Sequence, residues 1–147
     1  MANGVIQRSL GNSGISTSAV GLGTWVLGGF EWGGIDESEA INAIHAAIDH
    51  GIDLIDTAPI YGKGRSEEIV GKAIRDRRES VTVATKCGLR WDSDQGEFSF
   101  EDGSGARIHR SLSPASINHE VEASLRRLQI DTIDLYQTHW PTATTEI

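Results

Sequence analysis

The sequence predicts an α/β fold of parallel strands joined by helical crossovers. Two observations carry that prediction: three segments with helical apolar periodicity, and a short apolar run before each. A further apolar run, Ile133 to Thr138, completes the order β-α-β-α-β-α-β. Such alternation implies parallel strands with right-handed connections.

The first residues differ. Ile6-Gln7-Arg8 and Ile15-Ser16-Thr17 flank Gly11-Asn12-Ser13-Gly14, the pattern of a small hairpin before the first parallel strand. That strand is Val20-Gly21-Leu22-Gly23-Thr24-Trp25. A glycine-rich loop, 28–34, leads to Asp36-Glu37-Ser38-Glu39. Asp36 can accept from the amides that open a helix, and Glu39 stands at capping-box spacing. The helix body, Ala40 to His50, sets Ile41, Ile44 and Ile48 on one face and stops at Gly51. Ile52 to Ala58 is the second strand. Its helix covers about Ser66 to Arg75, with Ile69, Val70, Ala73 and Ile74 as the apolar face. Val81 to Thr85, short and β-branched, is the third strand. A long polar loop follows, Gly88 to about Leu112, and connections of that length carry function or disorder. Ser113-Pro114 reads as an N-cap with proline at the first helical position. Ile117, Val121, Leu125 and Leu128 then recur at helical spacing. No repeat, low-complexity tract or linker-like shift divides the chain, so residues 1–147 read as one domain or part of one.

Composition narrows the function. Lys+Arg number 13 against 21 Asp+Glu, a formal charge of −8. That balance argues against a nucleic-acid binder, which would show a basic face. Hydrophobic residues at 38% are enough for a core. No apolar run approaches the ~18 residues that would span a bilayer. The first residues lack the basic and apolar regions of a secretory signal. Cys87 is the single cysteine. A cytoplasmic location is the expectation.

Parallel α/β folds build their sites at the carboxyl ends of strands. Asp56, and Tyr61 five residues on, follow the second strand. Lys86 ends the third and His139, before Trp140-Pro141, ends the fourth. Alternation puts Leu54, Asp56 and Ala58 on one face, Thr82, Ala84 and Lys86 on another, and Leu135, Gln137 and His139 on a third. A free phenol titrates near ~10, and an adjacent ammonium stabilises its phenolate. Lys86 can supply that charge, Asp56 can hold the ammonium, and His139 can orient a carbonyl oxygen. Tyr61 is then a general acid for carbonyl reduction. Taken singly, each has a blander role: Asp56 a turn residue, Tyr61 and His139 loop packing, Lys86 a solvated strand end. Their arrival together favours a site. His45, His50, His109 and His119 read as surface or helix residues, Cys87 as packing, and Arg126-Arg127 as solvated. The glycines around Leu22 lack the third member of a dinucleotide fingerprint, Gly71-Lys72 lacks a P-loop, and no Cys/His cluster suggests a metal.

These motifs resemble the aldo-keto reductases. Gly51-Ile52-Asp53-Leu54-Ile55-Asp56-Thr57-Ala58-Pro59-Ile60-Tyr61-Gly62, continuing to Ser66-Glu67-Glu68-Ile69-Val70-Gly71, is similar to the family's first signature. Val83-Ala84-Thr85-Lys86 resembles its lysine strand. Ser124-Leu125-Arg126-Arg127-Leu128 with Ile133 to Pro141 resembles the approach to its histidine. The resemblance implies a parallel (β/α)8 TIM barrel, here its first four βα units after the N-terminal hairpin. It implies NADPH as hydride donor, a small carbonyl compound as substrate, and Tyr61 as proton donor assisted by Asp56, Lys86 and His139. Gly23, Thr24, Trp25 and Asp56 are implied at the cofactor, and Trp25 and Trp140 at the substrate. The loop from Trp25 to Gly29, with Trp91 to His109, resembles the bacterial general-stress and inositol-linked branch.

A full barrel takes ~250 residues. Residues 1–147 therefore read as the N-terminal half of such a domain, without most of the cofactor cradle. Exposed half-barrel edges imply either self-association or a longer parent protein. The expectation for the isolated chain is weak NADPH binding and impaired turnover. The alternatives are a cofactor-sensing regulatory subunit and an inactive truncated half-barrel.

Overall fold

Strands β1 (Gln7–Ser9) and β2 (Ser16–Ser18) form the expected antiparallel hairpin. It is tied to the start of the second parallel strand. Asp53 accepts from the Thr17 hydroxyl and the Ser18 amide, both at 2.6 Å, and Ser18 Oγ accepts from the Asp53 amide at 3.0 Å. The computed structural model describes residues 4–29 and 33–143. Positions 30–32 of the glycine-rich loop, and the N-terminal residues 1–3, lie outside the described residues.

The remaining elements follow the predicted alternation. They are β3 (Gly21–Gly23), a 3-10 turn at Trp25–Gly28, α1 (Glu37–Asp49), β4 (Leu54–Asp56), α2 (Arg65–Ile74) and β5 (Thr82–Cys87). After them come β6 (Leu89–Arg90), β7 (Glu97–Glu101), β8 (Arg107–Arg110), α3 (Pro114–Leu128) and β9 (Leu135–Thr138). β3, β4, β5 and β9 pair in parallel and in chain order. The order never reverses, and α2 packs against both α1 and α3. This is the singly wound arrangement of part of a (β/α) barrel.

The caps explain where the helices begin. Asp36 accepts from the amides of Ser38 and Glu39, and Ser113 from that of Ser116, with Pro114 just inside. Strand alternation divides the sheet into two faces. Ile55 and Val83 are fully buried and join Ile44, Ile69, Val70, Ile74 and Leu128 in the core beneath the helices. Leu54, Asp56, Ala84 and Lys86 have the opposite parity and face the other side.

Four expectations need correction. The stretch 88–112 is not a plain loop: β6, β8 and β7 form a three-stranded antiparallel sheet, turning at Asp102 to Ala106. Asp102 makes the turn by accepting from the Ser104 and Ala106 amides at 2.9 and 3.0 Å. His109 is not a surface residue; it lies in β8, 5% exposed, with its ring edge-on to Phe98. Arg127 is not simply solvated. Its Nε donates to Glu67 Oε2 at 2.6 Å, and the Glu67 side chain is fully buried. Finally, the most buried stripe of α3 is Ser116, Glu120, Ser124 and Leu128; Ile117, Val121 and Leu125 are only half-buried. The cause is polar. Glu120 accepts from the Gly88 amide at 2.9 Å and the Ser116 hydroxyl at 3.0 Å, which turns that stripe towards β5.

Gly71 lets α2 approach α3, because a β-carbon there would lie 2.4 Å from the Leu128 carbonyl oxygen. Alanine is the better helix former by about 0.5–1 kcal/mol. Overpacking against fixed backbone costs about 1–3 kcal/mol. Gly71→Ala is therefore expected to lower the urea midpoint with the slope unchanged. A midpoint at or above that of the parent would show that the helices can part freely.

Candidate active site

Three neighbouring strands deliver the candidate residues to one rim. The register aligns Gly23, Asp56, Ala84 and Leu135 at one level, and Lys86 with Gln137 one step higher. Lys86 Nζ donates to Asp56 Oδ1 at 2.8 Å, Asp56 Oδ2 at 2.9 Å and the Thr57 carbonyl at 2.8 Å. The same nitrogen lies 5.2 Å from the centroid of the Tyr61 ring. The His139 ring stands edge-on to Tyr61 with centroids 5.7 Å apart, and the His139 amide donates to the Cys87 carbonyl at 2.9 Å. Asp56, Tyr61, Lys86 and His139 are thus brought together.

Tyr61 is placed by a turn. Its amide donates to the Ala58 carbonyl at 3.1 Å, and its own carbonyl accepts from the Ser66 amide at 3.2 Å, at the head of α2. Gly62, Lys63 and Gly64 follow with φ of 64°, 53° and 97°. Gly62 also presses on Gly28: a β-carbon on Gly62 would lie 2.3 Å from the Gly28 carbonyl oxygen. The two loops leave no room for a larger residue at that contact.

Trp25 stands over this corner, its ring 6.4 Å from that of Tyr61. Gly23 has open space where a β-carbon would point, beside Asp56 on the rim. A flat ring fits such an uncluttered strand end. Thr24 differs. It is fully buried, its hydroxyl donating to the Asp56 carbonyl at 2.9 Å and accepting from Ser66 Oγ at 2.8 Å. Its backbone is engaged as well, the amide donating to the Asp56 carbonyl at 3.0 Å and the carbonyl accepting from Ser66 Oγ at 2.9 Å, so Thr24 braces the rim from behind and offers no surface to a ligand. Trp140 lies 6.1 Å from the His139 ring and 5.7 Å from that of Phe100, centroid to centroid. Trp25, Tyr61, His139, Trp140 and Phe100 line a cavity of about 740 Å³; Gly23, Thr24, Asp56 and Lys86 lie outside its lining.

Sequence reasoning missed several contributors to this cavity, three of which bear on its polarity and shape. Lys63, Phe100 and Asp102 all line it. The Phe98-Ser99-Phe100 alternation and the Asp102-Gly103-Ser104-Gly105 turn signal could have revealed the hairpin that bears two of them. Cys87 is buried as expected. Burial, with the Glu120 charge nearby, pushes its thiol up to about 11, which leaves it inert near neutral pH. Among the described residues no helix is long and apolar enough to cross a membrane.

Residues 19–147 match the model of the Aldo/keto reductase family. The chain is 51% identical over 135 residues to the aldo-keto reductase YhdN of Bacillus subtilis, covering 90% of this chain and 37% of that protein. It is 48% identical over 134 residues to the NADH-specific methylglyoxal reductase of Escherichia coli, covering 89% of this chain and 40% of that one. The structure superposes on the glycerol dehydrogenase AKR11B4 from Gluconobacter oxydans with a TM-score of 0.78 and 46% identity, over 95% of this chain and 40% of that chain. The chain thus spans about two fifths of the length of the relatives it matches.

The environment of His139 fixes its charge. Burial, and next the Lys86 ammonium, lower its pKa from 6.5 to about 4, against an opposing pull from Asp56. The imidazole is therefore neutral near pH 7, with one N–H to donate. An unfolded imidazole takes up its proton near ~6.5. Between that value and about 4 the unfolded chain holds more protons than the folded one, so stability falls as pH is lowered through this window. NMR titration of the His139 ring should give a midpoint near 4. A midpoint at the free-histidine value would contradict the half-buried, cation-flanked environment.

Proposed function

Because this chain belongs to the aldo/keto reductase family, we propose that its rim carries the proton-donating machinery of NADPH-dependent carbonyl reduction. One observation supports the reading above all others. Lys86 is held by both oxygens of Asp56 and by the Thr57 carbonyl while its charge lies 5.2 Å from the Tyr61 ring. A phenol gives up its proton more readily beside a fixed positive charge.

The residues divide the work as follows. Neutral His139 donates its N–H to the substrate's carbonyl oxygen and orients it. Tyr61 gives that oxygen its proton. Lys86 stabilises the phenolate left behind, and Asp56 holds Lys86 in place. Trp25 and Trp140 flank the substrate and limit water. Gly23, Trp25 and Asp56 would hold the nicotinamide end of the cofactor, with Thr24 buried behind them, the open space at Gly23 being the feature that fits it. A bound reduced nicotinamide supplies the hydride for the carbonyl carbon.

Tyr61→Phe in the complete protein is expected to lower kcat for a small aldehyde at least ~10²-fold while cofactor binding persists. Retained turnover would refute the role given to Tyr61. Cofactor choice has its own test. NADPH is expected to bind the complete protein more tightly than NADH, and these 147 residues alone only weakly. Fluorescence titration of both dinucleotides measures this. Preference for NADH, the cofactor named for the Escherichia coli relative, would overturn the assignment.

A further inference from the structure

Five rings line the cavity in sequence: Trp25, Tyr61, His139, Trp140 and Phe100, with successive centroids 6.4, 5.7, 6.1 and 5.7 Å apart. The first four stand on or next to the strand ends of the barrel. Phe100 comes from elsewhere, on β7 of the hairpin that projects after β5. It reaches the cavity because of a β-bulge. Phe98 pairs with His109, and Phe100 with Ile108, so two residues of β7 advance against one of β8. Without that shift Phe98 and Phe100 would share a face. With it they part. Phe98 is turned outward, half-exposed, against His109 and Arg107, while Phe100 meets Trp140. Bulges beside active sites characteristically re-aim one side chain in this way.

The hairpin is also fastened. Lys63 Nζ lies 2.9 Å from Asp102 Oδ2 and donates to Ser104 Oγ at 2.7 Å, both at the hairpin tip. The Asp102 side chain is only 9% exposed. Lys63 itself has a φ of 53°, left-handed backbone that costs a side-chain-bearing residue energy and that glycine would adopt freely. Glycine could not supply the ammonium. Lys63 stands two residues from Tyr61, so the clasp joins the hairpin to the loop that carries the proton donor.

We propose that Phe100 is a specificity-determining residue of this site, closing its mouth to bulky aryl carbonyl compounds and admitting short aliphatic ones, and that Lys63 positions it by holding the hairpin tip. The inference rests on the reduction reading given above. Two substrate probes, propanal and naphthaldehyde, are compared in the complete protein by following cofactor oxidation. In Phe100→Ala the naphthaldehyde-to-propanal ratio of kcat/KM is expected to rise at least ~10-fold, the usual scale for opening an apolar pocket. Phe100→Leu, the milder change, should move the ratio in the same direction. Lys63→Met should raise it up to ~5-fold, as suits a part-exposed clasp, mainly through KM for naphthaldehyde. Lys63→Arg, which keeps the charge, should restore the parent ratio. A ratio within twofold of the parent in both Phe100 variants overturns the specificity role. An unmoved ratio in Lys63→Met, or no rescue by Lys63→Arg, overturns the positioning role. If the parent protein oxidises cofactor with neither aldehyde, the reduction reading fails and this inference falls with it. Propanal turnover with an unmoved ratio sinks the inference alone.

Discussion

The ammonium of Lys86 is the group around which the rim is organised. It has three N–H donors, and the structure gives it three acceptors, two on Asp56 and one on Thr57. Lys86 meets Tyr61 as a charge beside a ring, 5.2 Å from the centroid. Its side chain is 15% exposed and that of Asp56 37%. A cation so placed is tolerable because its acceptors compensate for lost water, and removing either partner would strand the other. The same charge reaches His139 and helps to keep its imidazole neutral. One ion pair thereby bears on the charge of His139 while standing beside the Tyr61 ring.

That pair is held by a polar belt on the opposite face of the same strands. Thr24, Thr57 and Thr85 each stand one residue beyond the level of Gly23, Asp56 and Ala84, and all three are fully buried. Thr24 and Thr57 bond to Ser66, and Thr85 donates to Glu67 at 2.7 Å. Ser66 and Glu67 lie in the first turn of α2, immediately after the Tyr61 loop. Glu67 in turn binds Arg127 of α3. The two-residue period of a strand thus allots one side chain to chemistry and the next to anchoring the helix that follows. A buried carboxylate is costly unless paired and hydrogen-bonded, and Glu67 is both.

This division also explains what could be read from the sequence. Asp56, Lys86 and His139 were legible as one rim because strand alternation and the βα order are local patterns, as were the caps at Asp36 and Ser113. The resemblance supplied the barrel. The belt was not legible, since its partners are far apart: Ser66 and Thr24 by 42 residues, Arg127 and Glu67 by 60. Apolar periodicity also misplaced the inward stripe of α3. Ser116, Glu120 and Ser124 are buried for their partners and small size, which a count of apolar residues does not register. The bulge at Ser99 was hidden differently. The alternation Phe98-Ser99-Phe100 is intact in the sequence and would put both rings on one face; the register shift that parts them and brings Phe100 inward has no local sequence signature.

The remaining constraint is steric. Tyr61 must be held against a corner whose other wall, Trp25 to Gly28, belongs to a different strand end. Hydrogen bonds at 3.1–3.2 Å fix the Tyr61 backbone to its own turn and to α2, but none of these spans the two loops. Contact between Gly28 and Gly62 does. A β-carbon on Gly28 would come within 2.6 Å of the Gly62 nitrogen, and one on Gly62 within 2.3 Å of the Gly28 carbonyl oxygen. Each glycine is required by the other's backbone, and Gly62 is required again by its φ of 64°. The Trp25 turn and the Tyr61 loop therefore cannot be repacked independently. Their distance is set by main chain against main chain, the least compressible contact available, so the positions of Tyr61 and Trp25 are fixed together as the protein folds.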